Sequence, residues 1–428
     1  MKSLEHKAFF WKEFDKNENP INPRECQIVF NPKDGGKLIY FLDVNEEFDY
    51  ENFERNNIKV LYGQVLGGKK FTFNNLKYSR AFSGLIGNLD KTEVTCSVEY
   101  IFYGEWIKFD NLIEVMHIRY SYLELWFDQV KIKRPINNEE VILAGIMVQK
   151  ESLEGDTSQY DVVFNIDNKL NQTSFNNKVI TYQSKNLLAI SKKEKFKINQ
   201  AIELSLIVKS FFELMTFYSD NKIFIEEMDF TIKNGESVEL LFKQDDYVEE
   251  QKMSYLDFLL RYQNIKDNFI KVLNIWIEIH DKNKNEYSAF CNVISDKNTK
   301  FNIYTHYFQL ISALEGYYNN NFKEDIEFRK KLNQLIVKSE IKKLLPLNSS
   351  MHQSISNTIY TMRNDLAHSK KVIEINNRVK SSFEYIKIVA LLLMMKDISL
   401  NHTQISKHIF DYDLSLIEKD LESAFSKN

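Results

Sequence analysis

The sequence from residue 359 to residue 368 reads Ile359-Tyr360-Thr361-Met362-Arg363-Asn364-Asp365-Leu366-Ala367-His368. It places an arginine and a histidine five positions apart, with two polar residues directly after the arginine. The guanidinium of Arg363 is permanently charged, and its planar set of donors fits phosphate oxygens. His368 can accept or donate a proton near neutral pH. A cation that binds phosphate and a group that moves a proton are the two requirements for cleaving RNA without a metal.

The composition is that of a folded protein with two or three domains. Of 428 residues, 43% are hydrophobic and 27% are charged, and the low counts of glycine (12) and proline (5) exclude collagen-like or proline-rich segments. The net charge of −4 argues against a general polyanion binder. From Lys338 to Lys387, however, nine basic residues stand against four acidic ones. This basic segment around the motif fits either a neighbouring RNA phosphate or a solvated helical surface.

Cysteine usage and apolar runs predict a cytoplasmic protein. Cys26, Cys96 and Cys291 are far apart and indicate neither a disulfide framework nor a metal site. Residues 1–7 lack the apolar run of a signal peptide. The apolar run from Ile388 to Met395 is too short to span a bilayer and predicts a buried helix. We expect no cofactor, no metal and no membrane contact.

Residues 1 to about 210 have the pattern of antiparallel strands. An aromatic anchor, Phe9-Phe10-Trp11, begins the region, and Gly67-Gly68 marks a hairpin turn. The predicted strands are Leu38–Leu42, Val60–Leu66, Phe71–Phe73, Val98–Tyr103, Glu114–Phe127, Val141–Met147, Tyr160–Ile166 and Lys178–Tyr182.

The clearest alternation lies between Glu114 and Phe127. One face carries Met116, Ile118, Tyr120 and Tyr122 and the other carries His117, Arg119 and Ser121. We expect His117 and Arg119 to be ordinary surface residues, since charged side chains usually face outward.

After about residue 200 the apolar spacing becomes helical. The predicted helices are Ala201–Phe217, Met253–His280, Phe301–Tyr318, Phe322–Leu345, Ser350 to about Asp365, Arg378–Ile398 and Thr403–Phe425, with a break at Asp281–Asn285. In the third helix the apolar face is predicted to hold Tyr304, Phe308, Ile311, Leu314 and Tyr318. The fold class is therefore α+β, with a β-rich domain of antiparallel sheets over residues 1–250 and an all-α bundle over 251–428. The core of the bundle is expected at about 300–428, and the boundary could fall anywhere between 201 and 300.

The spacing of the motif constrains its geometry. Residues five positions apart on an ideal helix lie about 140° apart, so they do not share a face. Arg363 and His368 converge only if the helix ends between them or if a second chain completes the site. Asn364 and Asp365 are poor residues for a helix interior, and Ser369-Lys370-Lys371 reads as a loop. We therefore predict that the helix ends within the motif and presents His368 from its last turn or from the loop.

The stretch Arg-Asn-Asp-Leu-Ala-His resembles the R-x4–6-H motif of HEPN-domain ribonucleases, which often have a polar residue after the arginine. The segment from Phe308 to Tyr318 resembles the first long helix of the HEPN domain in the ApeA family of anti-phage proteins. The N-terminal half is similar to the β-rich region of ApeA at Phe10-Trp11, at Leu61-Tyr62-Gly63 and at Tyr122–Phe127. Only the arginine–histidine motif is specific, although the matches run in order along most of the chain.

This resemblance implies a bacterial defence endoribonuclease that acts by abortive infection and dimerises, or forms a larger homo-oligomer, through its HEPN domain. Arg363 would hold the scissile phosphate of an RNA substrate, and His368 would act as the general base or acid. Asn364 would hydrogen-bond the helix end or the phosphate, and Asp365 would orient His368. The products would carry 2′,3′-cyclic phosphates. The N-terminal β-rich region would sense a phage-derived trigger or restrain the nuclease.

Other interpretations remain open from the sequence. The helical part could be a non-catalytic dimerisation or RNA-binding module, with recognition by the β-rich part. A β-domain that binds carbohydrate or peptide, with a helical appendage, is a third possibility. In a purely structural reading, Arg363 is a cation favoured at a helix C-terminus and His368 is a cap. Glu315 is expected to be a solvent-facing or structural acid, and His306 and His352 to be surface or boundary residues.

Overall fold

The computed structural model describes residues 1–43, 58–86, 89–107, 111–127, 152–156, 160–172, 180–216, 222–232, 235–245, 247–248, 258–295, 299–322, 324, 326–368, 376–401, 403 and 407–426. The chain divides into two compact units. The β unit comprises Met1–Leu123, Ile132–Ser205 and Ile223–Gln251. The helical unit comprises Glu124–Lys131, Leu206–Lys222 and Lys252–Asn428. The predicted α+β class, with a β-rich N-terminal region followed by helices, is confirmed.

The β unit is built from strands that pair antiparallel throughout. The strands are β1 (Leu4–Trp11), β2 (Arg24–Asn31), β3 (Gly35–Asp43), β4 (Ile58–Val65), β5 (Lys70–Ile86), β6 (Leu89–Gly104), β7 (Leu112–Tyr120), β8 (Ser152–Asp156), β9 (Tyr160–Gln172), β10 (Ile180–Lys197), β11 (Ile225–Ile232) and β12 (Ser237–Phe242). Their order in the sheet is β3-β2-β1-β4-β5-β6-β12-β11-β7-β10-β9-β8.

The first six strands close on themselves, because β3 also pairs with β6. This pairing runs from Gly36 opposite Val98 to Asp43 opposite Lys91. Beyond Val98 the same edge of β6 pairs with β12 instead. At this branch point a Cβ on Gly36 would lie 2.7 Å from Cδ1 of Ile101. A side chain at position 36 would therefore crowd Ile101 and the Val98 carbonyl where β3 and β12 meet along β6.

Alternating apolar residues fill the interior of the closed sheet. On β3, Leu38, Tyr40 and Leu42 are buried while Lys37 and Phe41 are exposed. Fully buried residues of four strands line the interior: Ile28, Leu38, Phe71, Phe73, Val94, Cys96 and Ile101. Burial of this side-chain layer is the main source of stability for the β unit.

The predicted alternation around β7 is correct only up to Tyr120. Met116, Ile118 and Tyr120 are all fully buried. The strand then ends, since Tyr122 adopts a left-handed φ of 64°, and Leu123–Phe127 forms the helix α1. The predicted continuation of the strand to Phe127 is therefore wrong.

The other predicted strands of the β unit agree with the structure where it describes them. Tyr160–Ile166 lies within β9, and Lys178–Tyr182 overlaps β10, which is described from Ile180. The predicted strand Val141–Met147 lies outside the described residues. Strands β2, β8, β11 and β12 were not predicted, and the end of β1 was predicted only as an aromatic anchor.

The remaining helices are α2 (Ile198–Met215), α3 (Tyr262–Ile265), α4 (Phe269–Lys282), α5 (Lys284–Ser295), α6 (Thr299–Phe322), α7 (Phe328–Ser339), α8 (Ser349–His368), α9 (Asn377–Asp397) and α10 (Lys407–Phe425). Short 3₁₀ turns occupy Lys266–Asn268 and Ile341–Lys343. None of the helices within the described ranges is long and apolar enough to cross a membrane.

Three helix predictions need correction. A single helix over Met253–His280 is wrong, because Phe258 to Leu260 are buried but not helical and the Leu259 N–H donates to the Met215 carbonyl at 2.7 Å. The helix predicted over Phe322–Leu345 runs over Phe328–Ser339. The break predicted at Asp281–Asn285 is only Asn283, because α4 continues to Lys282 and the unpredicted helix α5 begins at Lys284. The last helix, predicted from Thr403, is described from Lys407.

The core of the helical unit is formed around α9. Its run from Ile388 to Met395 is buried throughout, as expected for an internal helix. On α6 the predicted apolar face is partly wrong, because Phe308 is 41% exposed and Tyr304 is half-buried. The buried stripe instead holds Tyr307, Leu310, Ile311, Leu314, Tyr317 and Tyr318.

Candidate functional site

The motif lies on α8, which is one continuous helix to His368. At its start the side chain of Asn348 accepts a hydrogen bond from the Met351 N–H at 2.8 Å, which satisfies a free helical donor. Its buried stripe is His352, Ile355, Ser356, Ile359 and Met362. Asn364 and Asp365 lie inside the helix rather than ending it. Their weak helix preference is tolerated because packing of this apolar stripe stabilises the helix.

The helix therefore ends at His368 rather than at about Asp365, while the prediction that the motif lies at the C-terminal end of one helix, with His368 in its last turn, is confirmed. Both residues belong to α8, and His368 is its final residue. Five helical positions separate them by about 140° around the axis. Within one chain the two positions therefore do not share a face. The predicted loop at 369–371 lies outside the described residues.

The guanidinium of Arg363 is held from two neighbouring helices. One of its terminal nitrogens, Nη2, donates to Oε2 of Glu315 on α6 at 3.2 Å. Its guanidinium carbon lies 5.6 Å from the centre of the Phe328 ring, at the start of α7. The Arg363 side chain remains 31% exposed. Its position is thus fixed while part of the donor set faces solvent.

Glu315 is shared between two cations. Its Oε1 atom lies 4.0 Å from Nζ of Lys331 on α7. The Lys331 side chain is only 8% exposed and donates to Oδ1 of Asn319 at 2.8 Å. Glu315 is therefore an ion-paired acid between α7 and α8, with Arg363 as its nearer cation. Within the described part of the chain it is the only carboxylate within 4.0 Å of either cation.

Asn364 and Asp365 directly follow Arg363 on α8. Oδ1 of Asn364 is 3.5 Å from Nη1 of Arg363, at the outer limit of a hydrogen bond. Asn364 and Asp365 are both half-buried. The structure thus brings Arg363, Asn364 and Asp365 to the last two turns of α8, with His368 at its end.

The polar contacts between α7 and α8 hold this end of the unit in place. The Tyr360 hydroxyl donates to Glu327 at 3.1 Å, and Arg329 hydrogen-bonds Asn357. Ser356 donates to Asn333 at 2.7 Å. The first residues of α7 therefore face the last turns of α8, where Arg363 lies.

The basic residues of this region divide between the two ends of α7. At its C-terminal end, Glu340 pairs with Lys343 at 2.5 Å and with Lys396 at 2.9 Å. These ion pairs lower the pKa of Glu340 to about 2. Arg363, in contrast, lies at the N-terminal end of α7, against the ring of its first residue, Phe328. The excess of positive charge predicted from the sequence is thus partly neutralised away from the motif.

His306 and His352 are not surface residues, since they are 8% and 5% exposed. Nδ1 of His352 lies 2.8 Å from the Tyr385 hydroxyl. Burial, and then the charge of Lys342, lowers the pKa of His352. Among the described residues, no group of three or more histidine, cysteine or acidic side chains could hold a metal ion.

The partner of Glu315 and the burial of Lys331 were not predicted from the sequence. The only signal for Glu315 was its place on the amphipathic helix. A lysine in a charged helix such as α7 gives no sign that its side chain is buried, because burial there depends on packing between three helices.

The fold and the site together define a two-part α+β protein with an antiparallel β unit and a helical unit that carries an arginine–glutamate–lysine cluster. A family model described as ApeA N-terminal domain 1 matches residues 5–276. The chain therefore belongs to the ApeA family of anti-phage defence proteins. No curated protein matches the chain. No solved structure matches it either.

Proposed function

We propose that the helical unit is a metal-independent endoribonuclease of the HEPN type that acts in anti-phage defence. The observation that carries this proposal is the charge arrangement at Arg363. Arg363 and Lys331 share the single carboxylate of Glu315, so the cluster keeps a net positive charge beside a half-exposed guanidinium. That combination suits a phosphate of an RNA backbone.

In the proposed reaction Arg363 holds the scissile phosphate and stabilises the charge that develops on its oxygens. The ribose 2′-oxygen forms a bond to phosphorus, and the bond from phosphorus to the 5′-oxygen breaks. His368 accepts the proton of the 2′-hydroxyl, or donates a proton to the leaving 5′-oxygen. Asn364 hydrogen-bonds the phosphate, and Asp365 orients His368. The products carry a 2′,3′-cyclic phosphate and a 5′-hydroxyl.

The proposal includes a homodimer or larger homo-oligomer. Arg363 and His368 lie about 140° apart on one helix, so one copy of α8 does not direct both at the same phosphate. A second copy would supply the missing partner. The β unit would then restrain the nuclease until a phage-derived trigger arrives.

The test is RNA cleavage in excess EDTA by the full chain, with analysis of the product ends. We expect the wild-type chain to produce cyclic phosphates, and Arg363→Ala and His368→Ala each to lower the rate by a factor of about 10² or more. Arg329→Ala is the matched control, because Arg329 lies at the same end of the helical unit and contacts Asn357 rather than Glu315. Its rate should equal that of the wild type.

A result in which cleavage persists in both variants would show that the motif is structural. If the wild type is silent alone, the assay is repeated with lysate from phage-infected cells as the source of the trigger. Mixing Arg363→Ala chains with His368→Ala chains tests the composite site. Partial recovery of cleavage is expected if each active site takes residues from two chains.

The alternative is a non-catalytic dimerisation or RNA-binding module. The placement of Arg363 and His368 on one continuous helix, where they do not share a face, is the observation that favours it. Such a module would keep its RNA affinity in the His368→Ala variant and would cut RNA in no condition.

A further inference from the structure

Glu315 occupies one of the guanidinium donors of Arg363 that a phosphate could use. Its Oε2 atom lies 3.2 Å from Nη2 of Arg363, and the Glu315 side chain is 27% exposed. A carboxylate and a phosphate both accept hydrogen bonds from the same planar set of guanidinium donors. The Glu315 carboxylate and an RNA phosphate therefore compete for Arg363. The two anions also repel one another when both lie beside the same guanidinium.

The carboxylate of Glu315 can pair with the ammonium of Lys331 instead of the guanidinium of Arg363. The Lys331 ammonium lies 4.0 Å from the other carboxylate oxygen, Oε1. It is held in place by Asn319 at 2.8 Å, and its own side chain is almost fully buried. A carboxylate released by Arg363 would otherwise remain half-buried without a counter-charge, which is unfavourable. Lys331 removes that penalty without a movement of the helices.

We propose that Glu315 is an internal competitor of the RNA phosphate at Arg363, and that Lys331 takes over its charge when RNA binds. This inference rests on the proposed function and adds a form of regulation to the same site. In the free protein Glu315 fixes the guanidinium. In the RNA complex Glu315 turns to Lys331, and the exposed edge of Arg363 holds the phosphate.

The proposal predicts that removal of the two charges, at Glu315 and at Lys331, has opposite effects on RNA affinity. It also predicts that the effect of one removal depends on the other. Removing the charge of Glu315 should tighten RNA binding. Removing the charge of Lys331 should weaken it, because Glu315 then has Arg363 as its remaining cation. If Lys331 acts through Glu315, its removal should have little effect once Glu315 is uncharged. If Lys331 attracts RNA directly, its removal should weaken binding equally in both backgrounds.

The experiment is a double-mutant cycle on the full chain, with binding measured to an RNA whose riboses are 2′-O-methylated so that it cannot be cleaved. We expect Glu315→Gln to tighten binding roughly threefold and Lys331→Met to weaken it roughly threefold, the range typical of partly exposed ion pairs. In the Glu315→Gln background, Lys331→Met should change binding by less than about 1.5-fold.

Glu327→Gln is the matched control. It also removes a carboxylate at the start of α7, but Glu327 contacts Tyr360 rather than Arg363. Thermal unfolding confirms that each variant is folded, and Asn319→Ala replaces Lys331→Met if the latter is not. Loss of the Asn319 acceptor frees the lysine, and weaker binding is again expected.

Unchanged or weaker binding in Glu315→Gln would overturn the inference, as would an equal effect of Lys331→Met in both backgrounds. Cleavage of ordinary RNA is measured separately. If Glu315→Gln tightens binding but no chain cuts RNA, the competition is retained and the ribonuclease function fails. If Arg363→Ala abolishes cleavage while Glu315→Gln leaves binding unchanged, the competition alone fails.

Discussion

Arg119 in the β unit and Arg363 in the helical unit are both half-buried arginines, yet their settings differ. Arg119 pairs with two carboxylates, Glu226 and Glu227, and its side chain is 20% exposed. Arg363 has one carboxylate partner, which it shares with Lys331, and is 31% exposed. Arg119 therefore has two carboxylate partners for one positive charge. Arg363 has one carboxylate partner, whose negative charge it shares with Lys331. The comparison indicates that Arg119 stabilises the sheet and that Arg363 can accept an external anion.

The largest expected effect is on catalysis and separates the two arginines. Arg363→Lys keeps the charge but loses the planar pair of donors, so RNA cleavage should fall roughly 10- to 100-fold. Arg119→Lys should leave the cleavage rate of the folded chain unchanged. Steady-state rates on one RNA substrate are measured for both variants. Equal rates for both would remove the distinction between the two sites.

The second-largest expected effect is on stability. Here substitution of Arg119 should cost more than substitution of Arg363. Arg119→Met removes the cation that Glu226 and Glu227 share on β7, which should destabilise the β unit by about 1–2 kcal/mol. Arg363→Met should cost about 0.5 kcal/mol, because Lys331 still neutralises Glu315. Hydrogen exchange on the full chain reports the opening free energy of each unit separately. A larger loss for Arg363→Met would show that Arg363 is the structural arginine.

Elements of the fold could be predicted from the sequence where the interacting residues are close together in the chain, and not where they are far apart. Local periodicity predicted β3, β6 and α6, because alternation or helical spacing is visible within one segment. The closure of the sheet through Gly36 and Val98 was not predictable, since that pairing joins strands far apart in the chain. Where long-range contacts override local preference, as at Leu259, the helix prediction was wrong.

The candidate site shows the same division. Arg363, Asn364, Asp365 and His368 form one contiguous motif, so residue types and spacing were enough to select them. Glu315 and Lys331 reach Arg363 from two other helices, and no spacing rule links the three. The continuation of α8 beyond Asp365 to His368 was not predicted, because the buried stripe of the helix outweighs the weak helix preference of Asn364 and Asp365.

A second comparison is between two carboxylates of the helical unit, Glu315 and Asp397. Asp397 on α9 is satisfied by neutral donors, since the hydroxyls of Tyr287 and Tyr317 donate to its Oδ2 at 2.7 and 2.6 Å. Burial and the nearby Asp397 charge raise the pKa of both tyrosines, so both remain protonated donors at neutral pH. Because the donors to Asp397 are neutral hydroxyls, we expect this cluster to serve stability alone.

Tyr287→Phe and Tyr317→Phe should each destabilise the helical unit by about 1 kcal/mol, the net value of one hydrogen bond. The double variant should lose more than the sum, because Asp397 then lacks both hydroxyl donors. Chemical denaturation of the three variants measures these losses. RNA cleavage by the folded variants should be unchanged, and a fall in cleavage would contradict the purely structural role of this cluster.

The smallest effect concerns one histidine in each unit. Burial lowers the pKa of His117 on β7, and burial together with the charge of Lys342 lowers that of His352. Above a pH of about 6.5 both are neutral in the folded and the unfolded chain. As the pH falls through that value, the unfolded chain takes up the protons first. Each unit should therefore lose stability on the acid side, down to the lowered pKa of its own histidine.

Lys342→Gln distinguishes the two causes. It removes a charge that disfavours protonation of His352, so the pKa of His352 should rise while that of His117 stays constant. Lys343→Gln is the matched control, because the charge of Lys343 is already paired with Glu340 at 2.5 Å. NMR titration of ¹³C-labelled histidines in the full chain measures both values. A His352 pKa that is equal in the wild type and in Lys342→Gln would leave burial as the sole cause, and the histidines of the two units would then follow the same rule.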